Sequence, residues 1–264
     1  MDNRAIGVFD SGLGGLTAVR RLQEIMPQER IIYFGDTGRV PYGTRGRDII
    51  IKYARQDVAF LRQFDLKAII VACNTVSSVA LDLLGEENDI PIIGTVEPAC
   101  RRALRETKNG RIGVIGTAAT VRSGAYERRL TAERSPLALT VCACPLFVPL
   151  VENGRVSRGD VVIETVVREY LTPLREAGVD TLILGCTHYP LLADVIGDFM
   201  QGVTLIDSGA EAANAARTQV EQVAGPGGTQ YFVSDDPQGF TQLAGLFLQQ
   251  PAAGEAELVE ISRY

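Results

Sequence analysis

Short runs rich in Ile and Val alternate with longer amphipathic stretches along almost all of the 264-residue chain, and few folds satisfy that alternation except a parallel sheet with crossover helices. A strand buried on both faces reads as a continuous apolar run, and its parallel neighbour is reached only through a long connection. Strands are expected at residues 5–9, 31–34, 68–72, 91–94, 111–115, 139–143, 180–184, 203–206 and 230–233. Helices are expected at 15–26, 46–64, 76–85, 97–107, 120–133, 159–177, 190–200 and 209–222, with a glycine-rich turn at 225–228 and a short helix around 238–248.

The pattern also repeats. Ile6, Gly7 and Val8 open a strand that runs into Asp10, Ser11 and Gly12, and Ile112, Gly113 and Val114 open another that runs into Gly116 and Thr117. Later in each half a strand ends in a cysteine followed by hydrogen-bonding residues, first Cys73, Asn74 and Thr75, then Cys186, Thr187 and His188. Ile92, Ile93, Gly94 and Thr95 are answered in the same way by Leu205, Ile206, Asp207 and Ser208. The first pair is offset by 106 residues (6 to 112) and the cysteines by 113 (73 to 186). The fold expected is therefore α/β, with two pseudosymmetric domains, each a mainly parallel sheet flanked by helices. Residues 1–96 with 208–264 would form one domain and residues 97–207 the other. Open parallel sheets bind ligands beyond the carboxyl ends of their strands, so the active site is expected at the domain interface, with one cysteine from each half.

Composition narrows the function. An apolar content of 46% with 22% charge supports a real core, and the formal charge of −6 is spread without any block of Lys or Arg, which argues against nucleic acid or an anionic membrane as partner. The opening MDNRAIGVFDSG has no signal-peptide core, so a cytoplasmic location is expected. A charge-free stretch at 135–151 is broken by Pro136, Pro145 and Pro149, falls short of the roughly 20 residues that span a bilayer, and reads as buried strand and loop. Cysteines 73, 100, 142, 144 and 186 form an odd set expected to stay free. Lys52, Lys67 and Lys108 are the only lysines and sit in polar or strand-edge surroundings, which leaves no obvious Schiff-base residue for pyridoxal phosphate.

Two thiols facing one ligand suit a specific chemistry. A single group that returns its own proton restores the starting hand, so inverting a carbon centre needs a base on one face and an acid on the other. Free cysteine ionises near pH 8.5, so a neighbour must manage the thiolate. His188, the only histidine, and Asp10 are placed to do so. Other readings stand beside this one. Cys100, Cys142 and Cys144 read as packing residues, the last two as same-face neighbours on one strand. Cys142 and Cys144 with Cys186 and His188 would make an atypically spaced zinc site. Gly12, Gly14 and Gly15 with Asp36 imitate a dinucleotide fingerprint, except that Thr17 stands where the third glycine is required, and there is no Gly-Lys-Ser/Thr. A lone histidine can be structural, and Glu152 before Asn153 and Gly154 can simply open a turn.

The segments GVFDSGLGGLT (7–17), PYG (41–43), ACNT (72–75), PLFVPLVENG (145–154) and LGCTHYPLL (184–192) strongly resemble bacterial glutamate racemases, in the same order along nearly the whole chain. Val76, Ser77 and Ser78 vary the small residues more usual after the first cysteine motif, a change expected to touch helix packing only. The resemblance implies a cofactor-independent, metal-free enzyme that interconverts L- and D-glutamate for peptidoglycan, and a homodimer. It implies that Cys73 and Cys186 transfer the proton, assisted by Asp10, Glu152 and His188. Substrate recognition would fall to Asp10, Ser11, Tyr42, Gly43, Asn74, Thr75, Thr187 and His188, with Thr117 and Thr120 beside them. An aspartate racemase of the same superfamily is the nearest alternative, and a non-catalytic binding protein is the alternative from another class. The chain begins a few residues before its first strand, so activation by a cell-wall precursor, which goes with an N-terminal extension in the family, is not expected.

Overall fold

In the computed structural model, which describes residues 2–134, 136–221, 225–251 and 254–264, the first half opens with β1 (Ala5–Asp10), α1 (Leu16–Ile25), β2 (Arg30–Gly35) and α2 (Arg47–Leu61). β3 (Leu66–Val71), α3 (Asn74–Val79), α4 (Leu81–Glu86) and β4 (Ile92–Ile93) complete it. The second half runs α5 (Val96–Glu106), β5 (Arg111–Gly116), α6 (Ala118–Ser123), α7 (Ala125–Glu133), β6 (Ala138–Ala143) and α8 (Phe147–Glu152). It continues through α9 (Val161–Glu176), β7 (Thr181–Gly185), α10 (Ala193–Phe199) and β8 (Thr204–Asp207). The chain then returns through α11 (Ser208–Gln219), β9 (Gly228–Val233), α12 (Pro237–Leu248) and β10 (Ala256–Leu258).

All pairings among these strands are parallel, in a six-stranded sheet ordered β10-β9-β2-β1-β3-β4 and a four-stranded sheet ordered β6-β5-β7-β8. The run β2-β1-β3-β4 matches β6-β5-β7-β8 strand for strand, so the repeat in the sequence is a repeat in topology. β1 and β5 each lie between the two strands that follow them, and at such a switch point the connecting loops part and leave a crevice. Central strands are mainly apolar because helices cover both faces, with Asp10, Lys67 and Thr181 only at or near their ends; every residue of β1, β3 and β7 is buried. α1 buries Leu16, Val19 and Leu22 and turns its charged residues away, the stripe that a 3.6-residue period produces. α11 packs against α1 of the first half and α5 of the second, and Asp207 caps it by accepting from the Gly209 and Ala210 N–H groups at 2.9 and 3.0 Å.

The nine expected strands are present, and three helices differ in detail. The helix expected at 76–85 starts at Asn74 and breaks at Ala80, whose backbone leaves the helical region. That expected at 120–133 is two helices hinged on Gly124, whose φ of 64° only glycine adopts freely. Residues 189–192 form a 3-10 turn before α10. Residue 222, at the end of the helix expected at 209–222, lies outside the described residues. The stretch 135–151 is not buried strand and loop, apart from Ser135, which also lies outside them: β6 is only half-buried, and α8 begins at Phe147. Pro149 is tolerated there because the first turn of a helix needs no N–H donors. β10 has no counterpart among the expectations. Lys67 has the polar surroundings expected of it although it is buried: its ammonium lies 2.7 Å from Glu29 and donates to the Asp2 and Glu221 carbonyls at 3.1 and 2.9 Å, at the start of β3 and so at the opposite end of the sheet from the crevice. No helix among the described residues is long and apolar enough to cross a membrane.

Candidate active site

The carboxyl ends of β1, β3, β5 and β7 converge on one cavity of about 300 Å³ between the two halves. Cys73 enters its wall two residues beyond β3, and Cys186 one residue beyond β7, the equivalent positions of the two sheets. Ser11 follows β1, and Thr117 follows β5. The sequence repeat therefore delivers matching loops to opposite sides of the same small space.

Close contact across that space depends on glycines. A side chain at Gly14 would lie 2.0 Å from Thr187 Oγ1 and 2.6 Å from His188 Nδ1, and one at Gly43 would lie 2.7 Å from Thr117 Cβ. The glycine run after β1 thus holds the second half, and Thr187 and His188 occupy the approach that a pyrophosphate would need. Thr17, which departs from the dinucleotide fingerprint, donates to the carbonyls of Gly14 at 2.9 Å and Thr187 at 3.3 Å.

The surroundings of the two thiols differ. Burial pushes the Cys73 thiol up to about 12, and the nearby Asp10 carboxyl pushes the same way. The Cys73 thiol donates to Ser11 Oγ at 3.6 Å. Asp10 is fully buried behind the wall; its Oδ2 accepts from Gly12 N–H at 3.0 Å, and its Oδ1 has no hydrogen-bond partner. Burial raises its carboxyl, while the His188 charge acts in the opposite sense. On the other side, burial works against the His188 imidazolium, but the Cys186 sulfur and the Glu152 carboxylate outweigh it and push the imidazole up to about 10. His188 Nε2 lies 3.0 Å from Glu152 Oε1, Nδ1 lies 3.3 Å from Thr187 Oγ1, and the ring packs edge-on to Phe247. An imidazolium beside a sulfur is the counter-ion that a thiolate needs.

Of the residues expected from the sequence, Ser11, Tyr42, Gly43, Asn74, Thr75, Thr117, Glu152, Thr187 and His188 line the cavity with the two cysteines. Asp10 and Thr120 stand behind it. The Thr120 hydroxyl lies 3.0 Å from that of Thr117, which lies 3.0 Å from that of Thr75, a chain of hydroxyls that crosses from one half to the other. Two lining residues have side chains committed elsewhere. The Tyr42 hydroxyl turns away to donate to Asp36 and Asp57, and Asn74 bonds Ser208, Thr95 and Tyr126. Sequence reasoning missed the apolar wall, formed by Val40, Pro41, Val148 and Pro149, and also Cys144. Cys144 lies beyond the end of β6 and lines the cavity rather than packing in a strand, whereas Cys142 is half-buried. The motif PLFVPLVENG carried that signal, because a helix there aims Val148 and Glu152 the same way, four residues apart. Among the described residues, no three His, Cys, Asp or Glu side chains converge as a metal site.

The Asp/Glu/Hydantoin racemase family model matches residues 16–216. The glutamate racemase of Geobacter metallireducens is 46% identical over 255 residues, 93% of each chain. The structure of the glutamate racemase from Francisella tularensis, solved in complex with D-glutamate, superposes with a TM-score of 0.92 at 37% identity over 100% of both chains. The glutamate racemase isoform RacE1 of Bacillus anthracis gives the same TM-score at 35% identity over 98% of both. The chain belongs to the Asp/Glu/Hydantoin racemase family, among the glutamate racemases, and is an amino-acid racemase, an isomerase.

Proposed function

We propose that the protein interconverts L- and D-glutamate by passing protons between Cys73, Cys186 and the two faces of the substrate α-carbon, without a cofactor. The observation that carries this reading is the pair of cysteines at equivalent strand ends of two repeated sheets, lining one small cavity. In one direction Cys186, as thiolate against the His188 imidazolium, takes the α-proton and becomes a thiol. The electron pair left on the α-carbon then takes the proton of the Cys73 thiol from the other face, and Cys73 becomes the thiolate. The opposite enantiomer runs the same steps in reverse. Asp10, behind Cys73, manages that thiol's proton as His188 and Glu152 manage the other.

Glutamate brings two carboxylates and one ammonium into a cavity lined by hydroxyls. Ser11, Thr75, Thr117 and Thr187 are the donors for the carboxylates, with backbone N–H groups at the starts of α3 and α6. Thr120 holds Thr117, and Asn74 ties the loop carrying Cys73 to the second half by accepting from the Tyr126 hydroxyl. The enzyme divides into residues 1–96 with 208–264 and residues 97–207, a reading supported by the membership of the two sheets. It works in the cytoplasm as a homodimer and supplies D-glutamate to peptidoglycan.

Purified protein without added cofactor is expected to racemize both enantiomers of glutamate, and aspartate far more slowly. Cys73→Ala and Cys186→Ala should each lower kcat/KM by about 10²–10⁴-fold or more, the usual worth of a positioned acid or base. Full activity in both variants rejects the mechanism, and faster turnover of aspartate reassigns the substrate.

A further inference from the structure

Residues 40–44, between β2 and α2, form one wall of the cavity, and of these five only Tyr42 is buried. Its side chain anchors the segment. Asp36, next after β2, and Asp57, in α2, are both fully buried and both lie against the Tyr42 hydroxyl, Asp57 Oδ2 at 3.1 Å. Arg39 reaches both acids, with Nε 2.5 Å from Asp36 Oδ2 and Nη2 2.9 Å from Asp57 Oδ1. The guanidinium is itself held, 4.1 Å from the Tyr53 ring centroid and donating to Gln56 Oε1 at 2.6 Å. Ser234, next after β9, accepts from the Gly38 N–H at 2.8 Å and donates to Asp36 Oδ1 at 2.7 Å.

The Tyr42 hydroxyl meets two carboxyl oxygens and has a single proton to give. Asp36 is surrounded by donors, Arg39 on one oxygen and Ser234 on the other, which is the setting of a carboxylate. Among the described residues the Tyr42 hydroxyl is the sole partner of Asp57 Oδ2. With the tyrosine proton on Asp36, that contact is a hydrogen bond only when Asp57 carries a proton of its own. Charge points the same way, because two carboxylates against one guanidinium would leave an uncompensated negative charge in the interior. Burial and the Asp36 charge push the Asp57 carboxyl well above the ordinary carboxylate range, against the pull of Arg39. A shift of Tyr42 carries Gly43 with it, and Gly43 is the residue that passes close to Thr117 of the second half.

We propose that Asp57 holds a proton donated to the Tyr42 oxygen, that Tyr42 donates in turn to Asp36, and that this chain makes Asp36 and Asp57 positioning residues for the glutamate-facing wall at 40–44; the positioning role rests on the function proposed above, whereas the proton does not. Infrared spectroscopy at neutral pH reads the proton: wild type should show the carbonyl stretch of a buried protonated carboxyl that Asp57→Asn lacks. Steady-state racemization reads the positioning. Asp57→Ala and Asp36→Asn should each raise KM for glutamate at least about fivefold, the loss expected when buried polar groups are left unpaired. Their kcat should move by less than about twofold, because the thiols stand on other loops. Asp57→Asn should return KM to within about twofold of wild type, since the amide donates to Tyr42 and accepts from Arg39 as the protonated carboxyl does. Where Asp36→Asn does not fold, Tyr42→Phe takes its place with the same expectation. No band lost in Asp57→Asn, or KM raised as far by Asn as by Ala at position 57, overturns the proton. KM unmoved in Asp57→Ala and Asp36→Asn, or kcat lowered as far as kcat/KM, overturns the positioning role. Wild type without glutamate turnover overturns the function proposed above and the positioning with it, and the infrared band alone then decides the proton.

Discussion

His188 is held by two opposing influences whose balance sets its charge. Burial disfavours the imidazolium, and the Cys186 sulfur and Glu152 carboxylate overcome that penalty, so the ring stays protonated up to about pH 10. Removing the Glu152 charge takes away one of the supports. Glu152→Gln should therefore move the alkaline limb of the kcat/KM profile to lower pH, and a pH–rate series with an unmoved limb would separate the two residues. Stability carries the same signature. Because the folded value lies above the unfolded reference of 6.5, the imidazolium stabilises the fold fully below about pH 6.5, and that contribution disappears as pH rises through about 10. The unfolding free energy lost in His188→Asn, measured by urea denaturation, should be largest at the acid end of this window and smallest above it. On the opposite wall the Cys73 thiol is pushed up to about 12 with Asp10 behind it, which suits a proton donor in the resting enzyme. Asp10→Asn keeps the shape and removes the charge. It is expected to slow the direction that begins at Cys73 more than the reverse, by about 10²-fold, a difference read from initial rates with each enantiomer.

The loops between elements set how closely the halves approach. Gly14→Ala would drive a methyl group against Thr187 and His188, and relief requires the loop after β7 to move. Overpacking of this kind costs about 1–3 kcal/mol, so thermal unfolding should show the loss, and kcat should fall because His188 moves with Thr187. The strands were legible in the sequence because a doubly covered parallel strand has no other composition, and the cysteines because they break the apolar run at its end. α8 was not read as a helix because Pro145 and Pro149 suggested loop, although Val148 and Glu152 stand four residues apart, the spacing of one helix face. β10 is three residues long, with Glu257 and Leu258 exposed, at the sheet edge, so it carries little pattern of its own. The commitment of the Tyr42 hydroxyl to Asp36 and Asp57 depends on packing between α2 and the loop before it, which no local pattern encodes.

Two copies of one strand order, β2-β1-β3-β4 and β6-β5-β7-β8, face each other through their carboxyl ends, and this duplication gives the cavity between them one cysteine from each half. The additional strands β9 and β10 extend the first sheet on the side of β2, away from β3 and its cysteine. In the proposed mechanism, reversal of handedness would follow from this symmetry, with a proton taken at one cysteine and supplied at the other. Racemization of L-glutamate in D₂O, stopped at low conversion and analysed by mass spectrometry of the separated enantiomers, examines this directly. With two acid/base groups, the D-glutamate formed should carry deuterium at its α-carbon while the remaining L-glutamate keeps its original hydrogen. D-glutamate that retains the original α-hydrogen, or L-glutamate that gains deuterium ahead of product formation, would contradict a proton taken on one side and supplied from the other.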